Sequence, residues 1–235
     1  MSLFEGEIAK IYDLWTKSGY YDFDKEAEIV SKIIGPNRSI IELGIGTGNT
    51  AIPLAKKGYE VFGIDDSKNM LGQLEKKLEG ESLTIDFELQ DIRKLKVSKT
   101  SDVALSAGGA FVYLVIDDEL YFDAYFSKES EIVKIFSSVW QLLNPGGLFL
   151  INVQYHGEHY ELKLPDETDY WFDLKEVEPR HLVKTHYFKK DGKIYLEQPY
   201  DFYRWTREEI DTLAKETGFQ INGYDETKTF YIFQK

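Results

Sequence analysis

The feature that most constrains this chain is a glycine-rich turn between a short apolar segment and a helix-like segment. Residues 40–50 read Ile-Ile-Glu-Leu-Gly-Ile-Gly-Thr-Gly-Asn-Thr, and the next apolar segment ends at Asp65 and Asp66. Glycine lets the backbone turn tightly and lets a ligand approach it without meeting a Cβ atom. An acid at the end of the neighbouring parallel strand is placed to bind ribose hydroxyls. The sequence therefore predicts a site for a ligand with a ribose and a charged tail.

The spacing of the glycines separates two classes of ligand. A dinucleotide fingerprint, G-x-G-x-x-G, would place its third glycine where this chain has Asn49. The glycine is at Gly48 instead, which gives E-x-G-x-G-x-G starting at Glu42. This spacing resembles motif I of the class I S-adenosylmethionine-dependent methyltransferases, whose loop holds an amino-acid tail and no pyrophosphate. A nicotinamide-dependent oxidoreductase is therefore the less favoured alternative.

Further segments resemble motifs of the same family in the same order. They are a second strand with its ribose-binding acid at 61–67, an adenine-contacting turn at 90–92, a fourth strand at 101–106 and an L-x-P-G-G turn at 142–148. The resemblance implies S-adenosylmethionine as the cofactor and S-adenosylhomocysteine as the product. It also implies a set of cofactor contacts: Tyr12, Glu42, Gly44, Gly46, Gly48, Asp65, Asp66, Met70, Asp91, Ile92 and Ser106.

Periodicity divides the chain into a helical cover at 1–37, a core at 38–153 and 204–235, and an insertion at 154–203. The cover holds two amphipathic helical segments. The core alternates short β-branched runs with helices, which is the pattern of a parallel sheet covered on both faces. We expect an α/β fold in a single domain: a Rossmann-like class I methyltransferase fold with a mostly parallel seven-stranded sheet and helices on both faces.

The insertion is longer than a connection within such a sheet requires. Residues 169–177, 181–190 and 193–203 have the composition of extended strands, and Asp191-Gly192 between the last two predicts a hairpin turn. We expect a small antiparallel β insertion that acts as a lid over the carboxyl edge of the parallel sheet, where open α/β sheets bind ligands. A homodimer formed through this insertion is compatible with that role.

The segment from Gly6 to Leu14 resembles the N-terminal helix of the bacterial deoxyaminosugar N,N-dimethyltransferases. The resemblance implies that this helix closes over the cofactor and that Tyr12 faces the methionine moiety. The acceptor is then a small molecule, with an amine among the candidates. The sequence departs from the sugar enzymes at Phe4, where they tend to have tyrosine, and at Tyr113, near which a histidine is expected.

Composition limits the partners of the chain. There are 41 acidic and 28 basic residues, so a polyanion such as DNA or RNA would be repelled, and no nucleic-acid partner is expected. The absence of cysteine excludes disulfides and thiolate zinc sites, which favours a cytoplasmic protein. The longest apolar run, residues 104–116, is too short to cross a membrane, and the acidic N-terminus does not resemble a signal peptide.

Methyl transfer requires few catalytic side chains, because in-line placement and the exclusion of water can supply most of the acceleration. If a base is used, Tyr113 after strand four and His156 after strand five are the candidates by position. His156 and His159 lack a third ligand at a recognisable spacing, so no metal site is predicted. The alternative to an enzyme is a module that binds S-adenosylmethionine and regulates a partner without turnover.

Overall fold

The structure, a computed structural model, describes residues 4–36, 38–155 and 157–235. Its centre is a sheet in which five parallel strands lie side by side, extended by two antiparallel strands at one edge. In spatial order these strands are β3 (Asp86–Leu89), β2 (Glu60–Asp65), β1 (Ser39–Leu43), β4 (Ser101–Ser106), β7 (Leu143–Gln154), β13 (Phe230–Gln234) and β12 (Gln220–Tyr224). They correspond to the mostly parallel seven-stranded sheet predicted from the sequence.

Helices cover both faces of this sheet. They are α1 (Glu7–Trp15), α2 (Phe23–Ile34), α3 (Ala51–Lys56), α4 (Lys68–Glu79), α5 (Glu129–Leu142) and α6 (Arg207–Thr217). Successive strand residues point to opposite faces, so Ile40 packs with α2, α3 and α4, whereas Ile41 packs with α5 and α6. None of the helices in the described ranges is long and apolar enough to cross a membrane.

Side-chain caps mark the starts of three helices. Asp22 accepts a hydrogen bond from the backbone of α2, and Ser67 accepts one from the backbone of α4. Thr206 and Glu209 form a reciprocal capping box at the start of α6, as their spacing in the sequence suggests. These caps satisfy amide groups that have no partner within the first turn of a helix, so each start is defined by local sequence.

The sheet is larger than predicted. A hairpin of β5 (Phe111–Ile116) and β6 (Glu119–Ala124) pairs with the end of β7, and the described residues form one continuous sheet of 13 strands. The strands of the insertion complete it: β8 (His159–Lys163), β9 (Asp169–Glu178), β10 (His181–Lys190) and β11 (Lys193–Thr206). The predicted fold class holds, and the seven predicted strands continue into six more, because the hairpin lies in a stretch to which no element had been assigned and joins the core to the insertion.

The insertion has the antiparallel strands that its sequence indicates, and it is joined to the core sheet through β11 and β6. Asp191 and Gly192 form the turn between β10 and β11 with φ of 51° and 78°, as expected for a tight hairpin. At the junction, the guanidinium of Arg204 donates two hydrogen bonds of 2.8 Å to the buried carboxylate of Asp123. This bidentate pair fixes the position of the insertion on the core.

The contact between β2 and the glycine loop can be tested by substitution. A Cβ atom on Gly63 would lie 2.2 Å from Cδ1 of Ile45. We expect Gly63→Ala to lower the free energy of unfolding by about 1–3 kcal/mol, because the overpacked loop must shift.

Gly72→Ala in α4 is the matched control, since nothing lies within 4 Å of an added Cβ there. It should raise that free energy by about 0.5–1 kcal/mol through helix propensity. Urea denaturation measures both, and equal stability of the two variants would contradict the close contact.

Candidate functional site

The loop after β1 touches the backbone of the loop after β4. A Cβ atom on Gly44 would lie 3.0 Å from the amide nitrogen of Ala110, and one on Gly109 would lie 2.7 Å from the carbonyl oxygen of Gly44. Gly44 and Gly46 have φ of 79° and 56°, in the left-handed region that favours glycine. A side chain at Gly44 or Gly109 would push the two loops apart, so these two glycines are required for this approach.

The two loops border a cavity of about 160 Å³ at the carboxyl ends of β1, β2 and β4, which we call the loop cavity. Such an edge is where open α/β sheets bind ligands. Most of the predicted cofactor contacts line it, namely Tyr12, Gly44, Gly46, Asp65, Asp66, Met70, Asp91 and Ile92. Sequence reasoning missed other wall residues, among them Phe4, Arg93, Gly108, Gly109, Tyr125 and Phe126.

Asp65 lies at the end of β2 and binds both the glycine loop and the residue that caps α4. One carboxylate oxygen accepts from the amide of Gly46 and the other from the amide of Ser67, each at 2.8 Å. Burial raises the pKa of Asp65 to about 6, although these two hydrogen bonds oppose the shift. Each carboxylate oxygen has a second lone pair. The side chain can therefore hold the loop and still accept hydrogen bonds from a ligand.

Glu42, at the end of β1, faces a recess that Tyr12 and Gly46 also line. Its Oε2 atom is buried and has no hydrogen-bond partner among the described residues. Burial, followed by the charges of Glu26 and Asp65, raises the pKa of Glu42 well above its usual value. Buried polar atoms are normally satisfied, so this carboxyl group indicates a missing partner. A cationic or hydrogen-bond-donating ligand group would supply it.

Asp91 lines the loop cavity and also holds its own turn together. It accepts from the amide of Arg93 at 2.9 Å, at the start of the short helical turn Ile92–Lys94, and the Arg93 guanidinium binds its carboxylate. Burial raises the pKa of Asp91, but the hydrogen bonds from Arg93 outweigh burial, so the pKa lies below its usual value. Asp91 is therefore ionised beside the cavity.

Besides Glu42, which lines the recess described above, two predicted cofactor contacts do not line the loop cavity, Gly48 and Ser106. A Cβ atom on Gly48 would meet Cδ1 of Leu74 at 2.4 Å, so this glycine allows α4 to pack on the loop. Ser106 is fully buried, and its hydroxyl donates to the carbonyl oxygen of Phe111 at 2.9 Å. Both residues shape the loops that form the wall of the cavity.

α1 is attached to the glycine loop through Asp13. Its carboxylate accepts from the hydroxyl of Thr47 at 2.5 Å and from the amide of Asn49 at 3.0 Å, and it lies 2.5 Å from the ammonium of Lys77. Burial raises the pKa of Asp13, but the hydrogen bonds from Lys77 and Thr47 outweigh it, so the pKa is lowered. This network holds the neighbouring Tyr12 in the wall of the cavity.

A second cavity lies beside the first, beneath the insertion. It has a volume of about 60 Å³, and we call it the aromatic chamber. Phe4, Tyr12, Gly108, Gly109 and Tyr125 line both cavities. The other walls come from the turn after α1, from β5 and from the inner face of the insertion, and they include Trp15, Tyr20, Phe172, Lys184, His186 and Phe202.

Of the two predicted bases, Tyr113 is described by the structure and does not line either cavity. Tyr113 is fully buried against Phe122 and Tyr231, with ring centroids 5.4 Å and 4.8 Å away. Alternation along β5 turns the neighbouring Val112 to the aromatic chamber and Tyr113 to the core. We therefore correct the prediction for Tyr113. His156 lies outside the described residues, so its role stays a prediction.

Metal ligands are not grouped in the described part of the chain. No three His, Asp or Glu side chains within residues 4–36, 38–155 and 157–235 are arranged to hold a metal ion. His159, which the sequence places near His156, is exposed and pairs with the carboxylate of Asp173 at 2.8 Å. This side chain thus has a surface partner.

Comparison with known proteins agrees with the geometry of the loop cavity. Residues 40–147 match the family described as a methyltransferase domain. The matched segment contains the glycine loop, Asp65 and Asp91. Over these residues the chain is similar to a methyltransferase domain. Its cofactor, S-adenosylmethionine, is the one implied by the glycine spacing.

Two bacterial proteins that are provisionally named methyltransferases are similar in sequence to this chain. GWCH70_2453 of Geobacillus sp. (strain WCH70) is 33% identical over 116 residues, which cover 49% of this chain and 42% of that protein. YqeM of Bacillus subtilis (strain 168) is 29% identical over 224 residues, which cover 90% of this chain and 81% of that protein. The aligned part is therefore less than half of the first relative and most of the second.

The fold extends the likeness over the whole chain. KedS8, a sugar N-methyltransferase from Streptoalloteichus sp. ATCC 53650, superposes with a TM-score of 0.74. The match covers 100% of this chain and 96% of KedS8 at 15% identity. At that level of identity the comparison concerns the fold alone. It confirms the predicted Rossmann-like class I methyltransferase fold.

The attachment of α1 can be tested with Asp13→Asn. The variant loses the charge that binds Lys77, so α1 should open more often, and the free energy of local opening should fall by about 1–3 kcal/mol. Hydrogen exchange of amides in Glu7–Trp15 should be faster, and S-adenosylhomocysteine should dissociate sooner because Tyr12 moves with the helix. Glu28→Gln, an exposed change on α2, should alter neither measurement. Unchanged exchange in α1 after Asp13→Asn would show that other contacts hold the helix.

Proposed function

We propose that the chain is an enzyme that transfers a methyl group from S-adenosylmethionine to a small-molecule acceptor, with an amine nitrogen as the nucleophile. The observation that carries this proposal is the aromatic chamber, which shares wall residues with the loop cavity. Adjacent cavities can hold two reactants side by side, and such positioning is the main requirement of the reaction. An amine acceptor is compatible with the fold, which this chain shares with the sugar N-methyltransferase KedS8.

The residues of the loop cavity fit S-adenosylmethionine. When bound, this cofactor supplies a methyl group on a sulfonium, which is a good leaving group. Gly44 and Gly46 would let its methionine tail approach the backbone. The buried carboxyl group of Glu42 would receive a hydrogen-bond donor that the described residues do not provide, and Asp65 would accept from the ribose hydroxyls.

The aromatic chamber would favour the neutral form of an acceptor amine. The same surroundings act on Lys184, an alkylamine of the protein itself, because burial lowers its pKa from 10.5 to about 8. Burial disfavours the charged form of any amine. An acceptor in the same surroundings would keep its lone pair at a lower pH than in water. The rings of Phe4, Tyr12 and Tyr125 would exclude water from the shared wall.

Turnover distinguishes an enzyme from a regulatory module. The protein is incubated with methyl-labelled S-adenosylmethionine and a panel of small amines, aminosugars and amino acids. We expect label in at least one amine, together with release of S-adenosylhomocysteine. Calorimetry should show binding of S-adenosylhomocysteine and none of NAD. Binding without turnover would favour a non-catalytic module, and binding of NAD alone would favour an oxidoreductase.

Three expectations from the sequence stay predictions. They are a cytoplasmic location, a homodimer formed through the insertion, and a small molecule rather than a nucleic acid as the partner. The last is supported by the excess of acidic residues, which gives a formal net charge of -13. Sedimentation of the purified protein tests the homodimer directly.

Asp65→Asn tests the proposed ribose contact. The variant keeps the shape of the side chain but loses its charge, so the affinity for S-adenosylhomocysteine should fall by about 1–3 kcal/mol. The ionised carboxylate accepts the ribose hydrogen bonds, and its pKa is raised to about 6. Wild-type affinity should therefore fall as the pH is lowered through that value, whereas the affinity of Asp65→Asn should not follow this profile. Calorimetry over a range of pH measures both effects.

The control for this experiment is Asp86→Asn. Asp86 is an exposed residue at the start of β3, so the same chemical change should leave the affinity and its pH dependence as in the wild type. If Asp65→Asn binds S-adenosylhomocysteine as tightly as Asp86→Asn at every pH, the ribose assignment is wrong.

A further inference from the structure

Where the inner face of the insertion borders the aromatic chamber, its side chains are apolar or aromatic except on one strand, β10. The side chains that this face contributes from β9 and β11 are Tyr170, Phe172, Leu174, Tyr200 and Phe202. On β10, Leu182 and Phe188 are buried at the two ends of the same row, with Lys184 and His186 between them. A lysine in such a row loses hydration, so its presence at the chamber calls for an explanation.

The ammonium of Lys184 contacts aromatic side chains. It donates a hydrogen bond to the hydroxyl of Tyr20 at 3.1 Å and lies 3.9 Å from the ring centroid of Phe172. Ring faces attract a cation but do not neutralise its charge. The acid that acts on Lys184 is Asp123, and both oxygens of Asp123 are already bound by the guanidinium of Arg204 at 2.8 Å. Among the described residues, Lys184 therefore has no carboxylate of its own.

The other ionisable groups of the aromatic chamber leave this charge uncompensated. Burial lowers the pKa of His186 well below its usual value, so the ring is neutral, and its Nδ1 atom shares a hydrogen bond of 2.8 Å with the hydroxyl of Tyr170. Burial raises the pKa of the Tyr20 hydroxyl, which keeps its proton. Asp123 is bound to Arg204, which also lies 3.4 Å from the carboxylate of Glu158, so among the described residues the ammonium of Lys184 has no carboxylate in contact with it.

We propose that the methyl acceptor carries a carboxylate and that Lys184 binds it. The inference rests on the proposed function, because it assigns the aromatic chamber to the acceptor. A carboxylate brings one negative charge and acceptor oxygens to one ammonium. A phosphate brings a charge of about −1.5 to −2, and the excess would remain buried among aromatic rings at a high cost. The acceptor class is thus a small amine that bears a carboxylate, such as an amino acid.

The test uses the full chain saturated with S-adenosylhomocysteine and two pairs of probes. The pairs are acetate with acetamide and benzoate with benzamide, whose members differ in charge but little in shape. At neutral pH, the wild type should bind the carboxylate of a pair about tenfold more tightly than the amide, because a hydrogen bond between charged groups is stronger than one to a neutral amide. Calorimetry measures each dissociation constant.

Variants at position 184 connect this preference to the lysine. In Lys184→Met, carboxylate and amide should bind within about twofold of each other, whereas Lys184→Arg should keep the preference because it keeps the charge. Lys175→Met is the matched control, since Lys175 is an exposed lysine on the adjacent strand β9. It should bind the probes as the wild type does. If Lys184→Met does not fold, Lys184→Gln takes its place, and the wild-type comparison stands without either variant.

Several outcomes would overturn the proposal. One is a wild type that binds neither acetate nor benzoate more tightly than the matching amide. Another is a Lys184→Met variant that keeps the preference. Inorganic phosphate that binds more tightly than acetate, in a manner dependent on Lys184, would replace the carboxylate with a phosphate. Binding of S-adenosylhomocysteine by the wild type is measured first, before any probe is added. A wild type that does not bind it would overturn the proposed function instead.

Discussion

The backbone contact between the loops after β1 and β4 determines where the rest of the site lies. Gly44 and Gly109 approach so closely that a Cβ atom on either would meet the backbone of the other loop. Gly44 lines the loop cavity, and Gly109 lines both that cavity and the aromatic chamber. The contact therefore sets the separation of the two spaces that the proposed reactants occupy. In a reaction that depends mainly on placement, this separation matters more than any single acid or base.

The parts of the fold that could be predicted have local signals. Glycine spacing located the first loop, composition located β9, β10 and β11 of the insertion, and the capping box at Thr206 marked the start of α6. The hairpin of β5 and β6 has no such signal. Its partner strands β7 and β11 are distant in sequence, and residues 104–116 form one apolar run in which the end of β4 and the start of β5 are not marked. Gly108-Gly109 did offer a signal: a glycine pair directly after a strand, as in the first loop.

The candidate site residues show why a position along the chain is not enough. Tyr113 follows the fourth strand as expected, but the register of β5 with β6 turns its side chain into the core. Lys184 lies in a run that alternates only weakly between polar and apolar residues. The sequence of β10 alone therefore does not indicate which face of the sheet the Lys184 side chain occupies. Pairing with β9 and β11 decides that it faces the chamber. The side of a strand that faces a cavity is a property of the assembled sheet.

The two cavities differ in the sign of their charge, and this difference would direct each reactant to its own side. The loop cavity has Asp65 and Asp66 in its wall and Glu42 beside it, and its Arg93 is bound to Asp91. In the aromatic chamber, Asp123 is bound to Arg204, whereas Lys184 has no carboxylate in contact with it among the described residues. A sulfonium would be attracted by the acids and repelled by the lysine, and a carboxylate would experience the reverse. During methyl transfer, positive charge passes from sulfur to the acceptor nitrogen. In an acceptor held by Lys184, that charge would develop beside the acceptor's own carboxylate, which would offset it within a space that excludes water.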